Sequence, residues 1–145
     1  MSVFNPAIDE FGRGLEQSVV AMPSSSLSAS TAIPITNPGF PGIMAFMNIT
    51  SAFPGSASTT YALKIKAVSP LSVGATVVLG NCTPRSASGQ SVLVLYPGCQ
   101  VFSATTGPIS TFSIGVPRDI QIVASLSAGA TSKEVVMSIG YMWLP

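Results

Sequence analysis

YALKIKAV, Tyr61 to Val68, decides how this chain is read. Tyr61, Leu63, Ile65 and Ala67 alternate with Ala62, Lys64, Lys66 and Val68. A period of two marks a strand with one face turned to a core. Two of the chain's six basic residues stand side by side on the other face. The first reading is protective: lysines on an exposed strand face or edge discourage stray strand pairing. The second is a solvent-facing or acid-facing patch on an otherwise neutral surface. Either way, this face is not expected to be buried inside its own subunit.

The same alternation recurs on both sides of this stretch. Leu27, Ala29, Thr31, Ile33 and Ile35 alternate with small residues. Pro34, Pro38, Gly39, Pro41 and Gly42 then form a dense turn region,. Further strand candidates are Ile43–Thr50, Ala75–Gly80, Ser91–Tyr96, Ser110–Val116, Asp119–Leu126 and Glu134–Leu144. Gly, Pro and Ser separate them, and no helical pattern lies between them. This succession predicts an all-β fold, an antiparallel β-sandwich or jelly-roll-like domain of seven to eight strands. The last candidate is apolar on both faces, so it is either central in its sheet or in contact with another subunit.

Residues 1 to about 22 have a different period. Ile8, Phe11, Leu15 and Val19 recur at helical spacing, with Asp9, Glu10, Arg13 and Glu16 between them,. Gly12 and Gly14 each weaken such a helix by about 1 kcal/mol relative to Ala. The segment is therefore a docked short helix or an extended arm. The expected organisation is 1–38, an arm or short helix with a first strand, followed by 39–145, the sandwich. A chain of 145 residues fits one domain,.

Composition narrows the function classes. Charged residues make up 8% of the chain, against about 25% in ordinary soluble domains,. Ser and Thr take their place, as in SSSLSAS and SASTT. No charge occurs from Gln17 to Leu63, but five prolines break that stretch, so it is no membrane helix,. The start, MSVFNPAIDEFGRGLEQ, has acids where a secretory leader needs a basic and apolar run,. Synthesis and folding in a cytoplasm is the expectation. A net charge of +1 and scattered cations speak against nucleic acid,. Near-zero net charge also does little to resist self-association.

Chemistry-bearing motifs are scarce. The chain has no histidine, which removes the usual general base and the commonest metal ligand,. The cysteines and carboxylates lack metal-ligand spacing, so no metal or cofactor is expected. Asp119 and Glu134 read as loop-edge charges beside Arg118 and Lys133 rather than as a catalytic pair. FGRGLE lacks the strand and third glycine of a phosphate cradle. Cys82 and Cys99 read as reduced, partly buried thiols, with a disulfide as the alternative if they flank facing strands. Arg85 reads as a solvated loop tip. Arg118, behind Pro117, is a candidate interface arginine. The aromatics fall mostly at inward-compatible positions. No enzyme is expected.

Four pieces in succession, YALKIKAVSP, SVLVLYPG, GVPRDIQIVAS and MSIGYMWLP, resemble a group of small proteins encoded in structural-gene regions of tailed bacteriophages. The resemblance covers Tyr61 to Pro145 and leaves out the N-terminal 38 residues. It implies a β-sandwich capsid component, foremost a head decoration (cement) protein on the virion's capsid surface. Such a subunit binds the major capsid protein, often as a homotrimer, and clamps neighbouring capsomers. The interface residues expected here are Phe4, Ile8, Phe11 and Leu15 of the arm, with Lys64, Lys66 and Arg118. A tail or baseplate β-protein is the structural alternative. A carbohydrate-binding sandwich is the alternative from a different class.

Overall fold

The computed structural model describes residues 18–27, 29–51, 60–69, 74–85, 88–103, 109–126 and 135–145. It contains ten strands and, among the described residues, no helix. They are β1 (Val19–Leu27), β2 (Thr31–Thr36), β3 (Gly42–Ser51), β4 (Tyr61–Val68), β5 (Thr76–Asn81), β6 (Gly89–Leu95), β7 (Phe102–Ser103), β8 (Ile109–Phe112), β9 (Asp119–Leu126) and β10 (Val135–Leu144). A six-stranded sheet has the order β1-β10-β3-β6-β8-β7, and a four-stranded sheet the order β2-β9-β4-β5.

The pairing is nested. β1 pairs with β10, β2 with β9, β3 with β6 and β4 with β5, all antiparallel. An antiparallel ribbon folded over itself gives this nesting, with β10–β3 and β9–β4 closing the two sheets. That is jelly-roll topology. The β7–β8 pair is inserted between β6 and β9. It extends the six-stranded sheet through β8, which runs parallel to β6.

Alternating side chains meet between the sheets. β3 contributes Ile43, Ala45, Met47 and Ile49; β10 contributes Val135, Met137, Ile139 and Trp143. Leu93 and Leu95 of β6 join them, facing Tyr61, Leu63 and Ile65 of β4 and Ile120, Ile122 and Ala124 of β9. Burying such side chains supplies the main favourable term of folding. Trp143 stacks on Phe40, ring centroids 6.2 Å apart, and takes Tyr141 edge-on at 5.6 Å.

Turn chemistry ends the strands as the sequence implies. Pro97 and Gly98 occupy the centre of a turn in which the Cys99 N–H donates to the Tyr96 carbonyl at 3.3 Å. Gly98 has φ +81°, which a type II turn requires at that position,. At Gly42 a side chain is excluded: a Cβ there would meet the Tyr96 ring and lie 2.8 Å from the Leu95 carbonyl oxygen.

Several expectations are corrected. The all-β sandwich stands, with ten strands among the described residues where seven or eight were expected. The run from Leu27 to Ile35 is divided between β1 and β2, which lie in different sheets. Helical spacing through Val19 does not hold from that residue on: Val19 and Val20 open β1 and pair with Tyr141 and Gly140. Two β-branched residues favour a strand once a partner is present. The run Ser110–Val116 stops as a strand at Phe112, where the Ile114 N–H turns back onto the Phe112 carbonyl. The sheets are not wholly antiparallel, because β8 reaches β6 through the β7 hairpin.

Candidate functional site

Among the described residues the charged side chains are Lys64, Lys66, Arg85, Arg118 and Asp119. Their placement divides the surface. Lys64 and Lys66 lie half-buried on the outer face of the four-stranded sheet. Lys64 is opposite Val123 and Asn81; Lys66 is opposite Gln121 and Val78. Two residues apart on one face, the ammonium stems start about 7 Å from each other. β4 has β9 on one side and β5 on the other, so the lysines guard no sheet edge. Protection of a sheet edge is therefore excluded, and the two readings of the lysines as residues of a strand face remain.

Prolines occupy two of the four edges instead. Pro34 lies within β2, and Pro23 lies within β1 at the register shift between Met22 and Ser25. Proline removes a ladder donor and so fits only at such edges. The opposite side of the sandwich, where β5 approaches β8, has no proline in its strands. It carries exposed apolar side chains: Val77 at 62% and Val78 at 48% on β5, with Val101 at 61% and Ile109 at 46% beside and on β8. Ile114, in the connection after β8, is exposed as well. Exposed apolar side chains on a side of the sandwich without proline are the kind of feature that marks a contact surface in other proteins.

Arg118 is exposed in the β8–β9 connection and is held there through its backbone. The Asn37 N–H donates to the Arg118 carbonyl at 2.7 Å. The buried Asn37 side chain donates from Nδ2 to the carbonyls of Phe40 (2.8 Å) and Val116 (3.0 Å). Its Oδ1 accepts from the N–H groups of Gly39 (3.0 Å) and Phe40 (2.8 Å). Both ends of the amide are thereby satisfied, as a buried polar group requires. The clamp ties the β2–β3 turn to the β8–β9 connection. An open depression of about 530 Å³ lies there, lined by Thr36 to Phe40, Val116 and Arg118. Lys66 lies opposite Gln121 on the strand that Arg118 leads into, so these two cations share one end of the sheet. Phe4, Ile8, Phe11 and Leu15 lie outside the described residues, as does Glu134.

Comparison with protein-family models, curated proteins and solved structures finds no match. The chemistry must therefore be read from this chain alone. Among the described residues no group of three or more His, Cys, Asp or Glu side chains is placed to hold a metal ion. Both described thiols are free. Cys82 Sγ donates to the Val92 carbonyl at 3.2 Å, and Cys99 Sγ to the Phe112 carbonyl at 3.3 Å. Burial pushes the Cys82 thiol up to about 11, which keeps it protonated and unreactive at neutral pH. Desolvation raises the Tyr61 phenol as well.

Two features escaped the sequence reading. Arg85 is not a loop tip in solvent: it is half-buried, exchanges backbone hydrogen bonds with Tyr61, and donates from Nη1 to the Gln90 carbonyl at 3.0 Å. Phe46 is an aromatic on the outer face, because its neighbours Ala45 and Met47 take the core positions. The alternation within IMAFMNIT held the signal for Phe46.

Proposed function

We propose that this chain is a virion structural protein of a tailed bacteriophage, a head decoration subunit that binds the assembled shell and clamps adjoining capsomers. The observation that carries this reading is the combination of a jelly roll, a fold used by viral capsid domains, with one rim of apolar, unguarded edges. Fold alone does not assign function; the rim supplies the argument. In this reading β5 and the β7–β8 pair of one copy meet a neighbouring copy and build a closed oligomer, a trimer. Lys64 and Lys66, freed from any edge role, face acidic groups of the major capsid protein. Many weak copies acting together supply the avidity, with no covalent chemistry.

The test has two parts. Sedimentation equilibrium of the purified chain should give a trimer, and Val77→Asp with Ile109→Asp should release monomers that keep their β circular dichroism. Co-sedimentation with phage heads lacking the decoration layer should saturate, and the Lys64→Glu, Lys66→Glu variant should lose it in a salt-dependent way. A monodisperse wild-type monomer with no affinity for heads would refute the proposal.

A further inference from the structure

The depression between the β2–β3 turn and the β8–β9 connection has a fixed wall and a free cation. It runs from Thr36 to Phe40 and across to Val116 and Arg118, and encloses about 530 Å³, a size within the range of ligand sites. Thr36, Pro38, Gly39 and Arg118 are exposed, so it is open to solvent. Asn37 holds the wall together through its bonds to Gly39, Phe40 and Val116. Its own N–H holds the Arg118 carbonyl at 2.7 Å. Phe40 is stacked on Trp143, with 6.2 Å between ring centroids. Pro38 and Pro117 fix φ on either side,. A wall already in place costs less to bind than one that must first be ordered.

The groups left free decide the chemistry. Among the described residues the Arg118 guanidinium has no hydrogen-bond or ion-pair partner. Asp119 is the one acid among those residues, and it leaves the guanidinium unpaired. A planar fork of N–H donors matches one carboxylate through two bonds. A phosphate wants further donors for its three acceptor oxygens and second charge. The depression does not supply them. The Gly39 and Phe40 N–H groups already donate to Asn37 Oδ1, at 3.0 and 2.8 Å, and Pro38 has no N–H,. Pro38, Phe40 and Val116 make the wall beside the cation apolar. A carboxylate on an apolar body suits both parts. A small free acid does not, because an open depression cannot cover most of its surface as a ligand site does. A carboxylate carried on a protein chain brings neighbouring contacts of its own.

We propose that this depression docks an acidic side chain, Asp or Glu flanked by apolar residues, in an extended segment of a partner protein. The carboxylate takes both prongs of Arg118, and the flanking side chains lie on Pro38, Phe40 and Val116. The site uses neither the lysine face of the four-stranded sheet nor the exposed apolar side chains of β5 and β8. It therefore stands or falls apart from the role proposed above.

Amide-resolved NMR titration of the full chain tests this. The probe is the blocked peptide acetyl-Leu-Pro-Glu-Leu-Pro-amide, beside the same peptide with Gln in place of Glu. The Glu peptide should shift the Gly39, Phe40 and Arg118 resonances, the Arg118 side-chain N–H included, and saturate at millimolar concentration. The Gln peptide should bind at least about fivefold more weakly, and so should the Glu peptide to Arg118→Gln. That variant keeps the clamp, because Asn37 holds the Arg118 carbonyl and not its side chain. The Lys64→Gln, Lys66→Gln variant should bind the Glu peptide as the native chain does. Equal binding of the two peptides, or no shift at these residues, would overturn the proposal. Isovalerate binding as tightly as the peptide would overturn it in favour of a small acid. The same shifts on raising protein concentration without peptide would overturn it in favour of a second copy. None of these readouts depends on binding to phage heads.

Discussion

Replacing Asn37 with Ala is expected to weaken the fold more than any surface substitution of comparable size. The side chain is 8% exposed and takes part in four hydrogen bonds, two donated and two accepted, that join the β2–β3 turn to the β8–β9 connection. A net value of about 0.5–1.5 kcal/mol per bond, with partial rescue by water at this part-buried rim, gives a loss of about 2–4 kcal/mol. For a domain of this length that lowers the melting temperature by roughly 6–12 °C. Urea titration should show the midpoint falling with an unchanged slope. Asn37→Asp sharpens the test. It keeps the acceptor for Gly39 and Phe40 but sets a carboxylate oxygen against the Phe40 and Val116 carbonyls. At pH 7 it should be at least as destabilised as Asn37→Ala. The carbonyls and burial raise its carboxyl above the ordinary range, so stability should return as pH falls and the group protonates. Asn37→Ala has no such pH response. A loss below about 0.5 kcal/mol for Asn37→Ala, within the range of ordinary surface changes, would refute the clamp as a stabilising element.

Other outcomes follow from the same structure. Leu93 is fully buried between the sheets, so Leu93→Ala should cost about 2–5 kcal/mol by urea titration,. Gly42→Ala drives a methyl into the Tyr96 ring and the Leu95 carbonyl, and should cost about 1–3 kcal/mol as overpacking does,. A cost near zero would mean that Tyr96 swings aside freely, breaking its bond to the Pro145 carbonyl. Alkaline titration should expose Cys82: its folded value is about 11 against an ordinary 9.0. The folded state then holds the proton that the unfolded state releases, so stability is kept below pH 9 and falls between pH 9 and 11. The slope from this one group is at most about 1.4 kcal/mol per pH unit. Cys82→Ala should flatten that part of the stability curve, with Tyr61 leaving a residual slope.

Much of the fold was legible because strands write their burial in period two. Tyr61, Leu63 and Ile65, or Val135, Met137 and Ile139, identify inward faces without any tertiary information. The Tyr-Pro-Gly stop was legible for a similar reason, since Gly98 must take positive φ. The edges of the sheets were not. Whether Lys64 and Lys66 guard an edge depends on what lies beside β4, and β9 is far away in sequence. Arg85 was misread because its carbonyl acceptor, Gln90, is reached only when the β5–β6 connection folds back. Val19 fitted a helical spacing equally well until β10 supplied a partner strand.

The sequence by itself determined an all-β sandwich, its main strands, and a surface poor in charge. Those follow from local rules: alternation, turn residues and composition act over a few neighbouring positions. Only the tertiary structure decided the nested pairing, the parallel β8, and the sides of the sandwich with and without proline in their strands. Each of these depends on which distant strands become neighbours. Local periodicity says which side of a strand is buried, and it is silent about what lies beside that strand.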